Sequence, residues 1–200
     1  MTTMSRITLI IFIILFSAAC KEKKYLNYKI LSKVPMEVSV INQLQGFSLV
    51  QVNHTNLLVI LNLAQAYEAE FSALTGKIPN DNGEFVFDTI PVTPYQGYLF
   101  YQENTPIGFC VINTNSTLKD IAEFYIIPSM RRKEIGTQFA YAIFNKYPGL
   151  WQARQIKGAD HAVKFWRNVI SAYTKNNYKE QTIQDPHWGT VTRQIFTSVK

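Results

Sequence analysis

Three cationic side chains and a glycine separate a strand-like segment from a helix-like one in the second half of the chain. The basic run 131–133 follows the apolar, aromatic segment Glu123–Ile127, and Gly136 precedes a helical stripe. The first N–H groups of a helix have no internal partner and carry partial positive charge, so they form a seat for phosphate. The pattern indicates an anionic ligand, and a solvated basic loop before an ordinary surface helix is the alternative.

The segments around this turn show the periodicities of helices and strands. Apolar stripes predict helices over Leu57–Leu74, from Gly136 to Pro148, and between Ala162 and Tyr173. Strands are predicted at Gly46–Val52, Tyr98–Tyr101, Ile107–Ile112, Glu123–Ile127, Trp151–Ile156, Tyr178–Ile183 and Thr190–Val199, and a loop at Lys77–Pro94. The sequence therefore predicts one mixed α/β domain.

Composition narrows the class of protein. The chain has 200 residues, of which 47% are hydrophobic and only 17% charged, so it has a full core for one domain and is not disordered. The net charge of +6 favours an anionic ligand or an acidic membrane surface, without the concentrated basic stripe of a nucleic-acid-binding protein. No metal site is expected because His54, His161 and His187 are scattered, and no disulfide is expected between Cys20 and Cys110.

The turn resembles motif A of the GNAT superfamily of acyl-CoA N-acyltransferases, which has the pattern Arg/Gln-x-x-Gly-x-Gly/Ala. In this sequence the motif reads Arg131-Arg132-Lys133-Glu134-Ile135-Gly136. Arg131 and Gly136 match, whereas Glu134 stands at the position of the first glycine. The resemblance continues downstream through His161–Tyr173 and more loosely upstream to about residue 45.

The resemblance implies a fold and an activity. The fold would be a GNAT-like, α+β domain over residues 36–200, with a mixed, mostly antiparallel central sheet flanked by about four helices. The activity would be N-acetyltransferase chemistry, with acetyl-CoA as co-substrate, no metal, and a small-molecule or peptide amine as acceptor. A GNAT-like module that binds CoA or a protein without turnover is the alternative.

The resemblance also implies which residues hold the co-substrate. Backbone groups of the strand before the turn would bind the pantetheine arm and the acyl carbonyl, through Phe124, Tyr125 and Ile126. The turn and the first helical residues would bind the pyrophosphate, mainly through backbone N–H groups, and they are Arg131, Arg132, Lys133, Glu134, Ile135, Gly136 and Thr137. Arg131 and Arg132 could add ion pairs to phosphate.

Two residues are candidates for acid–base catalysis. Glu123 is a carboxylate in a mostly apolar strand, which is costly unless it is paired or used, and it is the predicted general base. A salt bridge or an outward-facing side chain is the alternative. The segment 159–166 resembles the family's Asn-x-x-Ala-x-x-Phe-Tyr, but Trp166 replaces the Tyr that protonates the departing thiolate. Tyr173 is the predicted substitute acid.

The N-terminal residues form a separate block. Residues 1–20 combine Arg6, a short apolar run and the lipobox-like Ser17-Ala18-Ala19-Cys20, which indicates a signal or lipoprotein leader lipidated at Cys20. Residues 21–35 read as a linker. Because acetyl-CoA is cytosolic, the catalytic domain is expected in the cytoplasm or on the cytoplasmic membrane face. An internal start such as Met36, or an exported lipoprotein with another ligand, stays open.

Overall fold

The computed structural model describes residues 40–44 and 46–199, which form a mixed sheet and three α-helices. The strands are β1 Val40–Leu44, β2 Phe47–Gln51, β3 Tyr95–Gln102, β4 Thr105–Asn113, β5 Lys119–Ile126, β6 Gly149–Ile156, β7 Tyr178–Asp185 and β8 Gly189–Ser198. The helices are α1 Leu57–Thr75, α2 Ile135–Lys146 and α3 Asp160–Thr174, with a single 3-10 turn at Pro128–Met130. The predicted fold class is confirmed. The predicted leader, linker and lipidation site at Cys20 lie outside the described residues.

The eight strands follow the order β1-β2-β3-β4-β5-β6-β8-β7, and all neighbours except one pair are antiparallel. The exception is β5 with β6, which run parallel and pair only over Lys119–Ile121 and Trp151–Ala153. Beyond these three residues the two strands diverge. The sheet is therefore split at its parallel pair, and β5 continues for five residues without a strand on that side.

The two faces of the sheet carry separate cores. One face packs α2 and α3 through aromatic side chains, among them Phe139, Phe144 and Trp166. The other face packs α1 through Ile60 and Ala64 against β3, β4 and β5. Alternation along β5 sends successive side chains to opposite faces, so adjacent residues of one strand line different cores. This alternation decides which β5 side chains face α1 and which face α2 and α3.

Helix α1 crosses the second face and ends beside the split. Gly76 terminates it in the left-handed conformation, φ 70°, and its N–H donates to the carbonyl of Ser72 at 2.8 Å, as a helix C-cap requires. Within residues 40–44 and 46–199, α1 is the one helix with the length and mean hydropathy, 1.2, of a membrane span. The loop 77–94 follows, as predicted, without helix or strand.

Candidate active site

On the open edge of β5, the backbone groups of two residues point into the split. The N–H of Ile127 donates to the carbonyl of Ile107 at 2.9 Å, so the backbone groups of Ile127 point toward β4. From there the direction of the backbone groups alternates from residue to residue along the strand. The backbone N–H and C=O of Tyr125 therefore point toward β4, where Tyr125 pairs with Phe109. The backbone groups of Phe124 and Ile126 point into the split. Of the three β5 residues predicted to bind the pantetheine arm, Tyr125 is used within the sheet and the carbonyl of Ile126 accepts from Arg131, which leaves the backbone of Phe124 and the N–H of Ile126 available.

The start of α2 supplies further free donors next to the split. Among the described residues, the N–H groups of Ile135, Gly136 and Thr137 have no hydrogen-bond acceptor, as expected for a first helical turn. The side chains of Arg132 and Lys133 are exposed just before this turn. The predicted phosphate seat therefore has amides without an acceptor among the described residues and two exposed cationic side chains, and the binding itself stays a prediction.

Gly136 has a packing role in this seat. A Cβ at this position would lie 3.1 Å and 3.3 Å from ring atoms of Phe165 on α3. Helix α2 can approach Phe165 closely because this residue has no side chain. The glycine that matches motif A thus sets the contact between α2 and α3, while its N–H stays free.

Glu134 occupies a backbone conformation that suits glycine. Its φ is 60° and its ψ is 0°, in the left-handed region, and its exposed side chain makes no capping hydrogen bond to α2. This explains why the family pattern has glycine at this point: the turn requires positive φ. The chain retains the turn and places a carboxylate beside the free amides.

We expect Glu134→Gly to bind acetyl-CoA about two- to fivefold more tightly, because it removes a negative charge at the helix N-terminus where phosphate would sit. Glu103→Gly is the matched control, since Glu103 is also exposed and has a φ of 52° but lies in the β3–β4 turn. Titration calorimetry of both variants measures the effect. Equal affinities in the two variants would contradict a phosphate seat at Glu134.

Arg131 is engaged within the protein. Its Nε donates to the carbonyl of Ile126 at 2.7 Å, its guanidinium pairs with Glu70 at 2.9 Å, and it lies 5.3 Å from the ring centre of Tyr125. The side chain therefore ties the turn to β5 and α1. An ion pair to phosphate, as predicted for this residue, would have to compete with Glu70, whereas Arg132 has no such competitor among the described residues.

Glu123 lies on the split segment of β5 and faces α1. Its two carboxylate oxygens accept hydrogen bonds from the hydroxyls of Tyr67 and Thr89, each at 2.5 Å. Burial raises the pKa of Glu123 from 4.5 to about 7, although these two hydrogen bonds lower it. Within residues 40–44 and 46–199, Glu123 does not form the salt bridge that was its predicted alternative. A carboxyl group with a pKa close to neutrality can exchange a proton with an amine at physiological pH.

A cleft of ≈ 270 Å³ opens beside Glu123 on the α1 face. It is bounded by the C-terminal half of α1, the first part of the loop 77–94 and the turn between β7 and β8. Its lining residues are Tyr67, Glu68, Phe71, Thr75, Gly76, Lys77, Asp88, Glu123, His187 and Trp188. The cleft thus meets β5 from the face opposite α2 and α3, with Glu123 as the β5 side chain that reaches it.

The predicted acid, Tyr173, is not brought to this site. It lies near the end of α3, where its hydroxyl donates to Asn145 at 2.7 Å and its ring packs on Phe144. Trp166, at the position where the family has its acid, is buried against Phe124 at a centroid distance of 5.0 Å. This corrects the assignment of Tyr173: it shares the helical stripe of Trp166 but lies about two turns, or ~10 Å, further along the axis.

Sequence reasoning missed several residues of the cleft. The sequence places Tyr67 only in the apolar stripe of α1, and it singles out neither Lys77 and Trp188 of the cleft nor Thr89, which hydrogen-bonds Glu123. Tyr67 had a signal, because a hydroxyl in an apolar stripe requires a partner when buried. Thr89 and Trp188 lie in a loop and a turn, where no periodicity reports which way a side chain faces.

Comparisons with known proteins identify the fold. No protein-family model and no curated protein matches the chain. Among solved structures, it is similar to the ribosomal-protein-S18-alanine N-acetyltransferase from Escherichia coli, with TM-score 0.53, 8% identity, and coverage of 77% of this chain and 95% of that chain. It is also similar to the spermidine N-acetyltransferase from Vibrio cholerae, with TM-score 0.52, 10% identity, and coverage of 78% of this chain and 95% of that chain.

A third similar structure is a ribosomal L7/L12 alpha-N-protein acetyltransferase in complex with coenzyme A, with TM-score 0.53, 10% identity, and coverage of 80% of this chain and 98% of that chain. These likenesses span nearly the whole length of each neighbour. The chain therefore has the GNAT fold, as the resemblance in its motifs predicted. At such identities the likeness shows the fold, and the activity must be argued from the site.

Proposed function

We propose that this protein transfers an acetyl group from acetyl-CoA to a primary amine. The observation that supports this most directly is the position of Glu123. Its carboxyl group has a pKa of about 7 and lies on the segment of β5 that is not paired with β6, between free backbone donors and a cleft. The GNAT fold of neighbours named as N-acetyltransferases, one of them in complex with coenzyme A, agrees with this function.

The two sides of the split would hold the two substrates. The diphosphate of acetyl-CoA would bind the free amides of α2, and its pantetheine arm would lie along the open backbone of Phe124 and Ile126. The acceptor would enter the cleft from the α1 face. This arrangement would bring the thioester and the amine together beside Glu123. Holding two reactants close and oriented supplies much of the rate enhancement in such a reaction.

The chemical step needs one base. Glu123 would accept a proton from the ammonium form of the acceptor, and the amine nitrogen would then form a bond to the thioester carbon. An N–H on the open edge of β5 would polarise the carbonyl oxygen during the attack. The carbon–sulfur bond would break with its electron pair leaving on sulfur, and because a thiol has a pKa of about 8.5 the thiolate can depart without a dedicated acid. The second proton on the amine nitrogen would pass to the departing sulfur, directly or through water, which leaves the neutral amide and the CoA thiol.

The full-length chain with acetyl-CoA and a panel of amines tests this proposal. We expect calorimetry to show binding of acetyl-CoA, and a thiol-release assay to show amine-dependent turnover with an acetylated product. Absence of both binding and release at millimolar acetyl-CoA would overturn the proposed function. We also propose that the protein acts in the cytoplasm or on the cytoplasmic membrane face, where acetyl-CoA is available.

A CoA-binding module without turnover is the second candidate. Trp166 favours it, because it fills the position of the family's acid with a buried indole that packs on Phe124. This candidate predicts acetyl-CoA binding by calorimetry with no thiol release over the whole amine panel. The two measurements therefore separate the candidates.

A further inference from the structure

The cleft beside Glu123 has walls made of aromatic rings. Tyr67 and Phe71 stack at a centroid distance of 5.5 Å and an interplanar angle of 13°, and Trp188 meets the edge of Phe71 at 5.9 Å. Trp188 is 38% exposed at the turn between β7 and β8, and so it presents an indole at the mouth of the cleft. A large exposed aromatic at a cleft mouth provides contact area for an apolar ligand.

The charges in the cleft are mostly negative. Three carboxylates, Glu68, Asp88 and Glu123, line it together with one ammonium group, that of Lys77. The Lys77 nitrogen lies 2.9 Å from both Glu68 and Asp88, and Glu68 is only 4% exposed. Despite burial, the hydrogen bonds to Asp88 and Glu68 raise the pKa of Lys77, so this cation stays paired. Among the residues that the structure describes, no cation lies within salt-bridge distance of the Glu123 carboxylate, which accepts only the two hydroxyl hydrogen bonds.

The size of the cleft limits the ligand. Its volume of ≈ 270 Å³ lies just below the range of about 300–1,000 Å³ that is usual for small-molecule sites. A folded protein surface would present at most a short N-terminal segment to such a cleft. A small molecule with one ring and a short amine arm would fill it.

We infer that the acceptor is a small primary amine with an apolar, ring-sized body and no carboxylate, whose body packs against the contacting rings of Phe71 and Trp188 and whose amine reaches Glu123. This inference rests on the proposed function and specifies its acceptor. The rings provide contact area and an electrostatic attraction for a cation, and the uncompensated carboxylate attracts an ammonium group. A carboxylate next to the amine would be placed beside Glu123 and repelled.

Matched pairs of acceptors test the charge requirement, because the members of a pair differ only in the carboxylate. We expect kcat/KM for tyramine to exceed that for L-tyrosine at least about tenfold, and phenethylamine to exceed L-phenylalanine similarly, from like-charge repulsion at close range. Equal or better turnover of the amino acids, or of a peptide N-terminus, would overturn the inference while leaving the acetyltransferase function standing. Absence of turnover with every amine would instead overturn the proposed function.

Two variants locate the recognition in the cleft. Trp188→Ala should raise the KM for tyramine at least about fivefold with little change in kcat, because the indole contributes binding area away from the reacting atoms. Ile78→Ala is the matched control, since Ile78 is an 81% exposed apolar residue next to Lys77 that does not line the cleft. An unchanged KM in Trp188→Ala would place the acceptor elsewhere.

Asp88→Asn tests the charge of the cleft directly. Lys77 keeps Glu68 as its partner in this variant, so its charge is less compensated and the cleft becomes less negative. The preference for tyramine over L-tyrosine should fall by about threefold or more. The control is Asp81→Asn, since Asp81 is an exposed residue of the same loop that does not line the cleft, and it should leave the preference unchanged. A preference that is the same in both variants would contradict the charge argument.

Discussion

Glu123→Gln is expected to lower kcat by about 100-fold or more, because a positioned general base contributes 10²–10⁴-fold to proton transfer. Glutamine keeps the shape of the side chain and can still accept a hydrogen bond from Tyr67 or Thr89, but it cannot take the proton of the amine. Acetyl-CoA binding should be unchanged, since the free amides of α2 and the open edge of β5 do not involve this side chain. Thiol release and calorimetry measure the two effects separately.

The pH profile makes this prediction specific. Glu123 acts as a base only when ionised, and its pKa is raised to about 7. In the unmodified protein kcat/KM should therefore rise with pH through about 7, and Glu123→Gln should lose that limb while any limb due to the amine remains. Glu103→Gln, an exposed residue in the β3–β4 turn, should keep both the rate and the profile. A variant at Glu123 with full activity would remove this residue from the mechanism.

The same substitution should stabilise the fold at neutral pH. Because the folded pKa of Glu123 lies above that of the unfolded chain, the folded state binds more protons between pH 4.5 and about 7 and loses stability as the pH rises through this window. A shift of this size corresponds to about 3 kcal/mol, and imperfect hydrogen bonds to glutamine offset part of it. We expect Glu123→Gln to unfold at a higher temperature than the unmodified chain at pH 8, with the difference vanishing below pH 4.5. A stable but inactive variant is what a residue kept for catalysis should give.

The strand–turn–helix unit could be predicted from the sequence because each of its parts has a local signal. Glu123–Ile127 is apolar, Gly136 and the basic run mark a turn, and the stripe of α2 repeats at helical spacing. The carboxylate of Glu123 was also informative, since an ionisable group in an apolar strand calls for an explanation. The structure places it where such a group has a use, at the edge of a cleft.

The partners of Glu123 could not be predicted, because they are distant in sequence. Tyr67 precedes it by 56 residues and Thr89 by 34, and only the packing of α1 and of the loop 77–94 onto the sheet brings them within hydrogen-bond reach. The split between β5 and β6 is implied by the family resemblance, because the backbone of this strand can bind the pantetheine arm only where it is unpaired, but its extent follows from three-dimensional pairing. The sequence of β5 gives no indication that only its first three residues pair with β6.

The error at Tyr173 has a geometric origin. Helical periodicity reports the face on which a residue lies but not its level along the axis. Tyr173 follows Trp166 by seven residues, so both face the same core, yet Trp166 packs on Phe124 near the split and Tyr173 reaches Asn145. Two residues on the same helical stripe belong to one site only if they also lie at the same level along the helix axis. Here only the tertiary contacts show that level.

Thr137→Pro is expected to weaken acetyl-CoA binding about 10- to 100-fold, which is the loss of one hydrogen bond to a charged group. Thr137 is the third residue of α2, and its N–H has no acceptor among the described residues, so proline removes a ligand donor without breaking a helical hydrogen bond. The residue before it is Gly136, whose missing Cβ reduces the clash that proline imposes on its predecessor. The helix should therefore survive, which a melting curve of the free protein checks.

The matched control, Thr137→Ala, keeps the backbone N–H and removes the hydroxyl and methyl groups of the side chain. Thr137→Ala should bind acetyl-CoA as tightly as the unmodified chain, because the proposed contact is with the backbone. Acetyl-pantetheine, which lacks the diphosphate, should bind all three proteins equally, since its contacts lie along Phe124 and Ile126. If Thr137→Pro and Thr137→Ala bind acetyl-CoA with the same affinity, the start of α2 does not hold the diphosphate. The basic residues Arg132 and Lys133 would then have to be explained without it.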